Sequence, residues 1–580
     1  KLKMRFDLFL PSAKESTTLR NALKRLGPTW ASSPVRRLFQ AACLILFFVM
    51  FFYVCWPCGS EYDQGKIGQL PYAEFFLVLD PLLSVSAAVA ARAWVWSLVA
   101  AGVVLLVGMV LPRGFCGYVC PLGTLIDVVD WAIGKRTARF RVSRSGWWVN
   151  LRYYLLAGTL TAAVFGILLA GFVSAIAVLT RGMMFILAPV QMGLAKGWYL
   201  IPPINTGHIV SIILFVAVLG LGLLRPRFWC AYVCPTGGLL SLGGLLRLTE
   251  RKVEVTCVEC GRCVHVCSFD AIRADYSTHA LNCTFCQSCG GVCPTRSIKF
   301  VGRWNDVSLK SLGESTSRLP SFARRRFLFG VAGAVGGGSA AGTALAYDRA
   351  GYAESFPIRP PGALPERRFR RQCIRCGECF KVCPNNVLQP AGFELGLDGL
   401  WTPKVVPDWA GCRPSCNNCG RVCPTGAIRD LPLEEKRAAR IGLAVVNKKT
   451  CLPHAQKQDC RECVHECSAA GYNAIEFVRV GSRMSDQGEP IADSGFLAPV
   501  VLEDKCIGCG LCQTRCHSIN VKSTKLLTES AICVSAGPDK EDRIVSGSYR
   551  ALQAERLKDT KQQHSQPEGS GDTYLPDFLR

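Results

Sequence analysis

Residues 318–347 read "RLPSFARRRFLFGVAGAVGGGSAAGTALAY". Arg324, Arg325 and Arg326 stand before Phe327 and Leu328, and an apolar, Gly/Ala-rich run about one bilayer long follows. The pattern fits a twin-arginine export signal, a segment that ordinarily opens a chain. Here it stands in mid-chain with cysteine-rich sequence on both sides. The economical reading is two proteins fused in one chain, one half facing the cytoplasm and the other exported already folded. An ordinary transmembrane helix with basic residues on its inner flank is the alternative. Both readings put residues 348–580 across the membrane from residues 225–326. Ala344-x-Ala346 resembles a cleavage site, but the chain continues through it, so the helix is expected to persist as an uncleaved anchor.

Outward from this segment the 580 residues divide sharply, with long apolar runs before residue 225 and polar, cysteine-rich sequence after it. Residues 1–37 carry nine Lys/Arg against Asp7 and Glu15. That composition reads as a cytoplasmic tail. Membrane helices are expected at about Leu38–Trp56, Ala93–Leu111, Leu151–Leu179 and His208–Leu224. Residues 57–92 are acidic by comparison, whereas the loop after the second helix holds Lys135, Arg136, Arg139, Arg141 and Arg144. With the anchor, the charges give five crossings, N-terminus inside and C-terminus outside. The expected divisions are a tail (1–37), a four-helix membrane domain (38–245), a cytoplasmic module (246–317), the anchor (318–347), an exported domain (348–535) and an extended C-terminal tail (536–580).

The membrane half contains an internal repeat. "FCGYVCPLGTL" (115–125) and "WCAYVCPTGGL" (229–239) share Cys-x-Tyr-Val-Cys-Pro-x-Gly-x-Leu, each just past the inner end of a helix. Two hairpins of the same sense, related by an axis along the membrane normal, would bring Cys116, Cys120, Cys230 and Cys234 together. Within each pair the cysteines stand four apart, on one face of a helical turn. Four such thiols could make a metal site, a pair of disulfides or a redox relay.

Most other cysteines fall into quartets. Cys257, Cys260, Cys263 and Cys267 have the spacing C-x2-C-x2-C-x3-C, and Cys283, Cys286, Cys289 and Cys293 repeat it before Pro294. This is the bacterial two-cluster ferredoxin signature. A short loop aims three sulfurs at one cubane, and the fourth cysteine reaches the other. Cys293 is therefore assigned to the first trio and Cys267 to the second. Zinc is the competing occupant of four cysteines, but two tandem copies favour clusters. Beyond the anchor come Cys373, Cys376, Cys379 and Cys383; Cys412, Cys416, Cys419 and Cys423, with one extra residue in the first gap; Cys451, Cys460, Cys463 and Cys467, with a widened first gap; and Cys506, Cys509, Cys512 and Cys516, where His517 replaces the proline. The expected content is six 4Fe-4S clusters, two cytoplasmic and four exported. Whether neighbouring exported quartets share cysteines, or the outer two pair around the inner two, stays open. The fold class is mixed: an α-helical membrane bundle of five transmembrane helices, plus α+β ferredoxin-like modules on both sides of the membrane. Such clusters are assembled in the cytoplasm, so a domain carrying them must cross folded, as a twin-arginine signal permits.

Cys43 reads as packing, Cys533 as a lone thiol, and Cys55 with Cys58 in "CWPCG" as a short disulfide or dithiol. The formal charge of +24 would ordinarily raise nucleic acid. Much of the excess obeys the positive-inside rule, and each cluster adds negative charge, so nucleic acid is not an expected partner. His208 is the one histidine expected near a membrane helix, which makes a bis-histidine haem in the bilayer unexpected.

With these residues in hand, the first 310 or so resemble the H subunit of the periplasmic nitrate reductase quinol dehydrogenase. The features that carry this are four helices, the repeats at Cys116/Cys120 and Cys230/Cys234, and the ferredoxin module. Residues 320 to about 535 resemble its G subunit, a twin-arginine ferredoxin with four clusters. The resemblance implies quinol oxidation in a bacterial inner membrane and electron delivery to a periplasmic partner, a cytochrome or reductase. A cofactor at the four repeated cysteines, a bound quinone or a haem of a partner, such as another respiratory-complex subunit, would have to bridge the two faces, because the hydrocarbon core is about 30 Å thick. A maturation or metal-handling factor for a periplasmic enzyme, and a wiring subunit of a larger complex, are the alternative roles.

Overall fold

The computed structural model describes residues 33–55, 74–134, 146–195, 197–198, 201–304, 321–351, 356–482 and 494–565. The "CWPC" element, apart from the backbone of Cys55, the basic loop at residues 135–145 and the last fifteen residues lie outside them. Nine helices of the first half carry the architecture: α1 (Pro34–Cys55), α2 (Pro81–Ala91), α3 (Ser97–Val110), α4 (Pro121–Val129), α5 (Leu151–Val164), α6 (Ala175–Ala195), α7 (Thr206–Gly220), α8 (Pro235–Gly243) and α9 (Ser321–Gly351). Among the described residues four stretches are long and apolar enough to cross a membrane, at Pro34–Phe52, Ala175–Leu194, Thr206–Leu223 and Phe327–Ala344. Val49, Val103, Ile186, Ile213 and Phe329 are exposed on these helices and on α3, an apolar belt that suits lipid.

The expected third helix is not one helix. From Leu151 the chain is helical only to Val164, turns at Gly166 with φ of 80°, makes the short helix Ala170–Val173, and starts α6 after Ser174. The first repeat follows the same plan, with the short helix Phe75–Val78, then Asp80, then α2. Hydropathy cannot see such a break, because apolar residues such as Ile167, Leu168 and Phe172 run through it and tertiary contacts satisfy its freed backbone groups. The Arg375 guanidinium donates to the Leu168 carbonyl at 2.7 Å, and Ser174 Oγ to Asp80 Oδ2 at 2.5 Å. The second helix is also shorter than expected, because residues 92–96 turn the chain, with Arg92 left-handed at φ 52°.

The anchor helix α9 lies beside α5, running in the same direction. A Cβ on Gly330 would meet the Tyr154 ring at 2.4 Å, one on Gly338 the Gly158 carbonyl at 2.8 Å, and one on Gly342 the Phe165 Cβ at 3.2 Å. Gly330, Ala334, Gly338 and Gly342 form a stripe of small residues at four-residue spacing, which lets two helix backbones approach closely. Phe327 packs edge-on against Tyr153 at the start of both helices.

Two ferredoxin-like parts occupy opposite ends of α5. At its start, Arg152 donates to Asn282 Oδ1 at 2.5 Å; beyond its far end, Leu168 meets Arg375. With 14 residues in α5 the two ends stand about 21 Å apart. The part at the first end pairs β1 (Thr249–Val253) antiparallel with β2 (Ile298–Gly302), strands that bracket its two quartets. The larger part contains two such units. One is bracketed by the Ala363↔Ile428 bridge and holds β3 (Leu388–Pro390) against β4 (Pro403–Val405). The other pairs β5 (Leu443–Val446) with β8 (Ile532–Ser535), and β6 (Ile475–Val480) with β7 (Phe496–Val501). The core is continuous across the larger seam, since Ile374, Phe380, Leu388 and Trp401 share one buried cluster with Phe51, Leu83, Leu168 and Phe185.

Residues 536–565 do not form an extended tail. Arg543 donates to Glu366 at 2.7 Å, and helix α10 (Tyr549–Ser565) begins with the fully buried Tyr549 against Leu431 and Ala439. The Glu435 carboxylate accepts from Ser548 Oγ and from the Tyr549 amide, both at 2.6 Å. Polar composition resembles a linker, but charged partners elsewhere in the fold hold this stretch.

Candidate functional site

The exported quartets pair with their neighbours. One cavity is lined by Cys373, Cys376, Cys379 and Cys423; a second by Cys451, Cys460, Cys463 and Cys516; a third by Cys467, Cys506, Cys509 and Cys512. The remaining set is Cys412, Cys416 and Cys419, which neighbour Cys383. Each fourth cysteine therefore crosses to the neighbouring trio, which decides the pairing that spacing left open. The widened gap after Cys451 is a surface turn, with Gln456–Asp459 exposed.

At the other end Cys267 lies with Cys283, Cys286 and Cys289, and Cys263 with Cys257 and Cys260. Cys293 Sγ lies 3.7 Å from the Thr295 hydroxyl and 4.0 Å from that of Ser297. Cys43 is half-buried in α1, and Cys533 is exposed on β8.

The donor sets fit 4Fe-4S clusters. Burial pushes the thiols of Cys383, Cys463 and Cys509 up to about 12, and that of Cys283 likewise. Thiolates there require the positive charge of iron. A single tetrahedral ion would draw four sulfurs to about 3.8 Å from one another. Among the described residues no three His, Cys, Asp or Glu side chains are drawn together for one ion. Backbone amides already aim at the fourth cysteines, Ala271 N to Cys267 Sγ at 3.3 Å, Ile428 N to Cys423 Sγ at 3.4 Å and Ala474 N to Cys467 Sγ at 3.3 Å. Asn520 is a residue the sequence reading missed. With His517 in place of the proline, the helix continues as the π-helical segment His517–Ser523, and Asn520 Nδ2 reaches the sulfurs of Cys460 and Cys516 at 3.7 Å each. The absent proline was the available signal.

The CxxxCP repeats meet around a pseudo-twofold axis. Arg113 and Arg227, equivalent residues in "PRGFC" and "PRFWC", are both left-handed, at φ 52° and 56°. Each crosses to the other repeat: Arg113 Nη2 donates to the Cys230 carbonyl at 2.8 Å, and Arg227 Nη1 to the Cys116 carbonyl at 3.4 Å. Gly237 and Gly123 leave the room, since a Cβ at Gly237 would lie 2.8 Å from Arg113. Arg36 in α1 donates to the Gly117 carbonyl at 3.0 Å, and its counterpart Arg152 in α5 to that of Ala231 at 2.9 Å. Cys116 and Cys230 lie in π-helical turns, Phe115–Val119 and Trp229–Val233. Cys120 and Cys234 are not on the same turn as their partners. Both are extended, with ψ near 113°, and open α4 and α8, because Pro121 and Pro235 restrict the residue before them. The four cysteines are nonetheless mutual neighbours, and Cys120 and Cys234 are buried. His208 is a cap, accepting from the Asn205 amide at 3.2 Å through Nδ1 and packing 4.4 Å from Phe185.

Cysteine sets of this geometry on paired two-strand units define a ferredoxin-type iron–sulfur electron-transfer protein. Known proteins agree. A family described as 4Fe-4S binding domain matches twice, at residues 93–140 and 208–253, once over each repeat, and a second family of the same description matches residues 370–389. The ferredoxin-type protein NapG of Escherichia coli is 35% identical over 206 residues, 35% of this chain and 84% of that protein. The methylamine utilization ferredoxin-type protein MauM of Paracoccus denitrificans is 35% identical over 203 residues, 33% of this chain and 82% of that protein. MauN of Methylorubrum extorquens is 28% identical over 272 residues, 46% of this chain and 83% of that protein. No solved structure matches. The chain belongs to the NapG/MauM family of ferredoxin-type proteins.

Proposed function

We propose that this chain is the membrane electron-transfer subunit of a quinol dehydrogenase, a fusion of H-like and G-like parts. Quinol in a bacterial inner membrane, or a cytoplasmic donor, supplies electrons that leave to a cytochrome or reductase on the periplasmic side. The observation that carries this reading is one apolar bundle with a two-quartet ferredoxin module seated on one end and a four-quartet part on the other. The N-terminus is assigned to the cytoplasm, in line with the basic tail, and α9 acts as the uncleaved twin-arginine anchor and fifth crossing.

Clusters bound in the cysteine sets supply one-electron redox chemistry. The chain's residues fix their places. Arg375 is fully buried between Cys373 and Cys376 and donates to the carbonyls of Leu168 and Asp398, at 2.7 and 2.6 Å. Arg181 stacks 3.7 Å over Trp401, whose Nε1 donates to the Gly207 carbonyl at 2.7 Å. Phe369, Ile374 and Ile428 keep water from the first exported set.

The test is anaerobic rapid mixing of the purified chain with menaquinol, following cluster bleaching in the visible and by EPR. Prompt reduction is the expected outcome. If menaquinol reduces no cluster while dithionite reduces all of them, the chain is not itself a quinol dehydrogenase, and a wiring or maturation role replaces that reading.

A further inference from the structure

We propose that Cys116, Cys120, Cys230 and Cys234 together hold an iron–sulfur cluster that is the stepping stone between the two ferredoxin parts. The proposal rests on clusters in the ferredoxin quartets but not on quinol as the donor. Both parts send a ligand loop into the bundle toward this site. From one end comes the loop Asn282–Cys286. Tyr118 Oη donates to the Phe285 carbonyl at 3.0 Å, Arg36 Nη1 to that of Cys286 at 3.3 Å, and Arg113 Nη1 to that of Asn282 at 3.4 Å. A Cβ on Gly117, next to Cys116, would lie 2.8 Å from the Thr284 carbonyl, so the two backbones touch. From the other end comes Cys373–Cys376. A Cβ on Gly171 would lie 2.1 Å from the Ile374 carbonyl, and Arg181 donates to the carbonyls of Arg375 and Gly171 at 2.7 and 3.2 Å.

The stretch between Gly171 and the repeats is short and dry. One helical turn leads from Gly171 to Ser174, whose hydroxyl donates to Asp80 at 2.5 Å; Thr236 donates to the same carboxylate at 3.1 Å. Asp80 and Ser174 are fully buried and Thr236 nearly so, and Thr236 lies two residues past Cys234. The contour from Ile374 to Thr236 is roughly 20 Å, and the straight line is shorter. The full hydrocarbon thickness of about 30 Å is thereby divided into two shorter steps, because both ligand loops enter the bundle. The site also has what a buried anionic cluster needs. Arg36, Arg113, Arg152 and Arg227 surround it at 4% exposure or less. In each transfer one cluster loses an electron as the next gains it; no bond forms or breaks and no proton moves.

The experiment has two parts, both on the full chain. In the first, iron, acid-labile sulfide and EPR are compared between the native protein, C116S, C230S and the double variant. The expected result is loss of one cluster's iron and sulfide in the double variant, with the six ferredoxin signals intact as the folding control. A single serine ligand is expected to shift one EPR signal. Unchanged iron and EPR in folded variants overturn the proposal, as does a disulfide in place of the cluster. In the second part, proteoliposomes enclosing cytochrome c receive dithionite outside. Native protein is expected to reduce the enclosed cytochrome, and the double variant only at the rate of protein-free vesicles; undiminished transfer through the variant overturns the relay. If menaquinol fails as donor while dithionite-driven transfer is lost in the variant, the quinol reading falls and the relay stands.

Discussion

Single side chains carry two sharp expectations. Glu366 lies under three guanidiniums, accepting from Arg359 at 2.6 Å, Arg370 at 2.6 Å and Arg543 at 2.7 Å. Burial alone would raise its carboxyl, but Arg359 and then the others hold it well below the usual carboxylate range. Its folded value is depressed, so its contribution is complete above the unfolded value of about 4.3 and is lost as pH falls below that. Glu366→Gln is expected to destabilise the larger ferredoxin part by about 2 kcal/mol at neutral pH and to flatten its stability profile below about pH 4. Thermal unfolding of the holoprotein across pH 3–7 checks both. At Asn520 the amide reaches two cluster sulfurs, and hydrogen bonds to sulfur raise a cluster's potential. Asn520→Ala is therefore expected to make one exported cluster harder to reduce and leave the others alone, as an EPR-monitored redox titration would read. Neither residue stood out in the sequence. Glu366 needs partners from three distant segments, and Asn520 matters only because the chain stays helical past Cys516.

At the scale of elements, motifs set the cysteine trios and tertiary packing set the rest. Spacing alone could not choose which fourth cysteine crosses, because the antiparallel pairing of β5 with β8 and the Ala363↔Ile428 bridge decides it. Cys423→Ser is accordingly expected to perturb the cluster of Cys373, Cys376 and Cys379 and to spare that of Cys412, Cys416 and Cys419. Two distinct EPR components separate these outcomes. The broken third helix was hidden for a related reason, since an apolar run reads alike whether continuous or interrupted. Gly171 sits in that break, and the Ile374 carbonyl leaves a methyl group no room. Backbone on both sides cannot give way, so Gly171→Ala is expected to cost about 1–3 kcal/mol at the docking seam. Faster hydrogen exchange over residues 366–381, with the two-quartet module unchanged, is the corresponding signal.

For the molecule as a whole, the division into an apolar half and cysteine-rich parts was readable from composition, as was the mid-chain helix that joins them. The fit of the parts was not. Arg181 and Trp401 belong to unremarkable stretches and Arg375 stands between two ligand cysteines with no sign of its partners, yet the three close the larger seam. The mostly polar run at 549–565 gave no hint that Tyr549 would be buried. The crossing of Arg113 and Arg227 into each other's repeat also sets an order of events during synthesis. Arg113 enters the membrane before the Cys230 carbonyl exists, and its second acceptor, Asn282, comes later still. From residue 113 to residue 282 is 282 − 113 = 169 residues, roughly 8–34 s of translation at ordinary rates. For that interval the first repeat is a half-built unit whose cation lacks at least one of its acceptors. The four-cysteine site is therefore among the last features of the bundle to close, and whatever delivers iron and sulfide to it must act on a chain already most of the way through the membrane half.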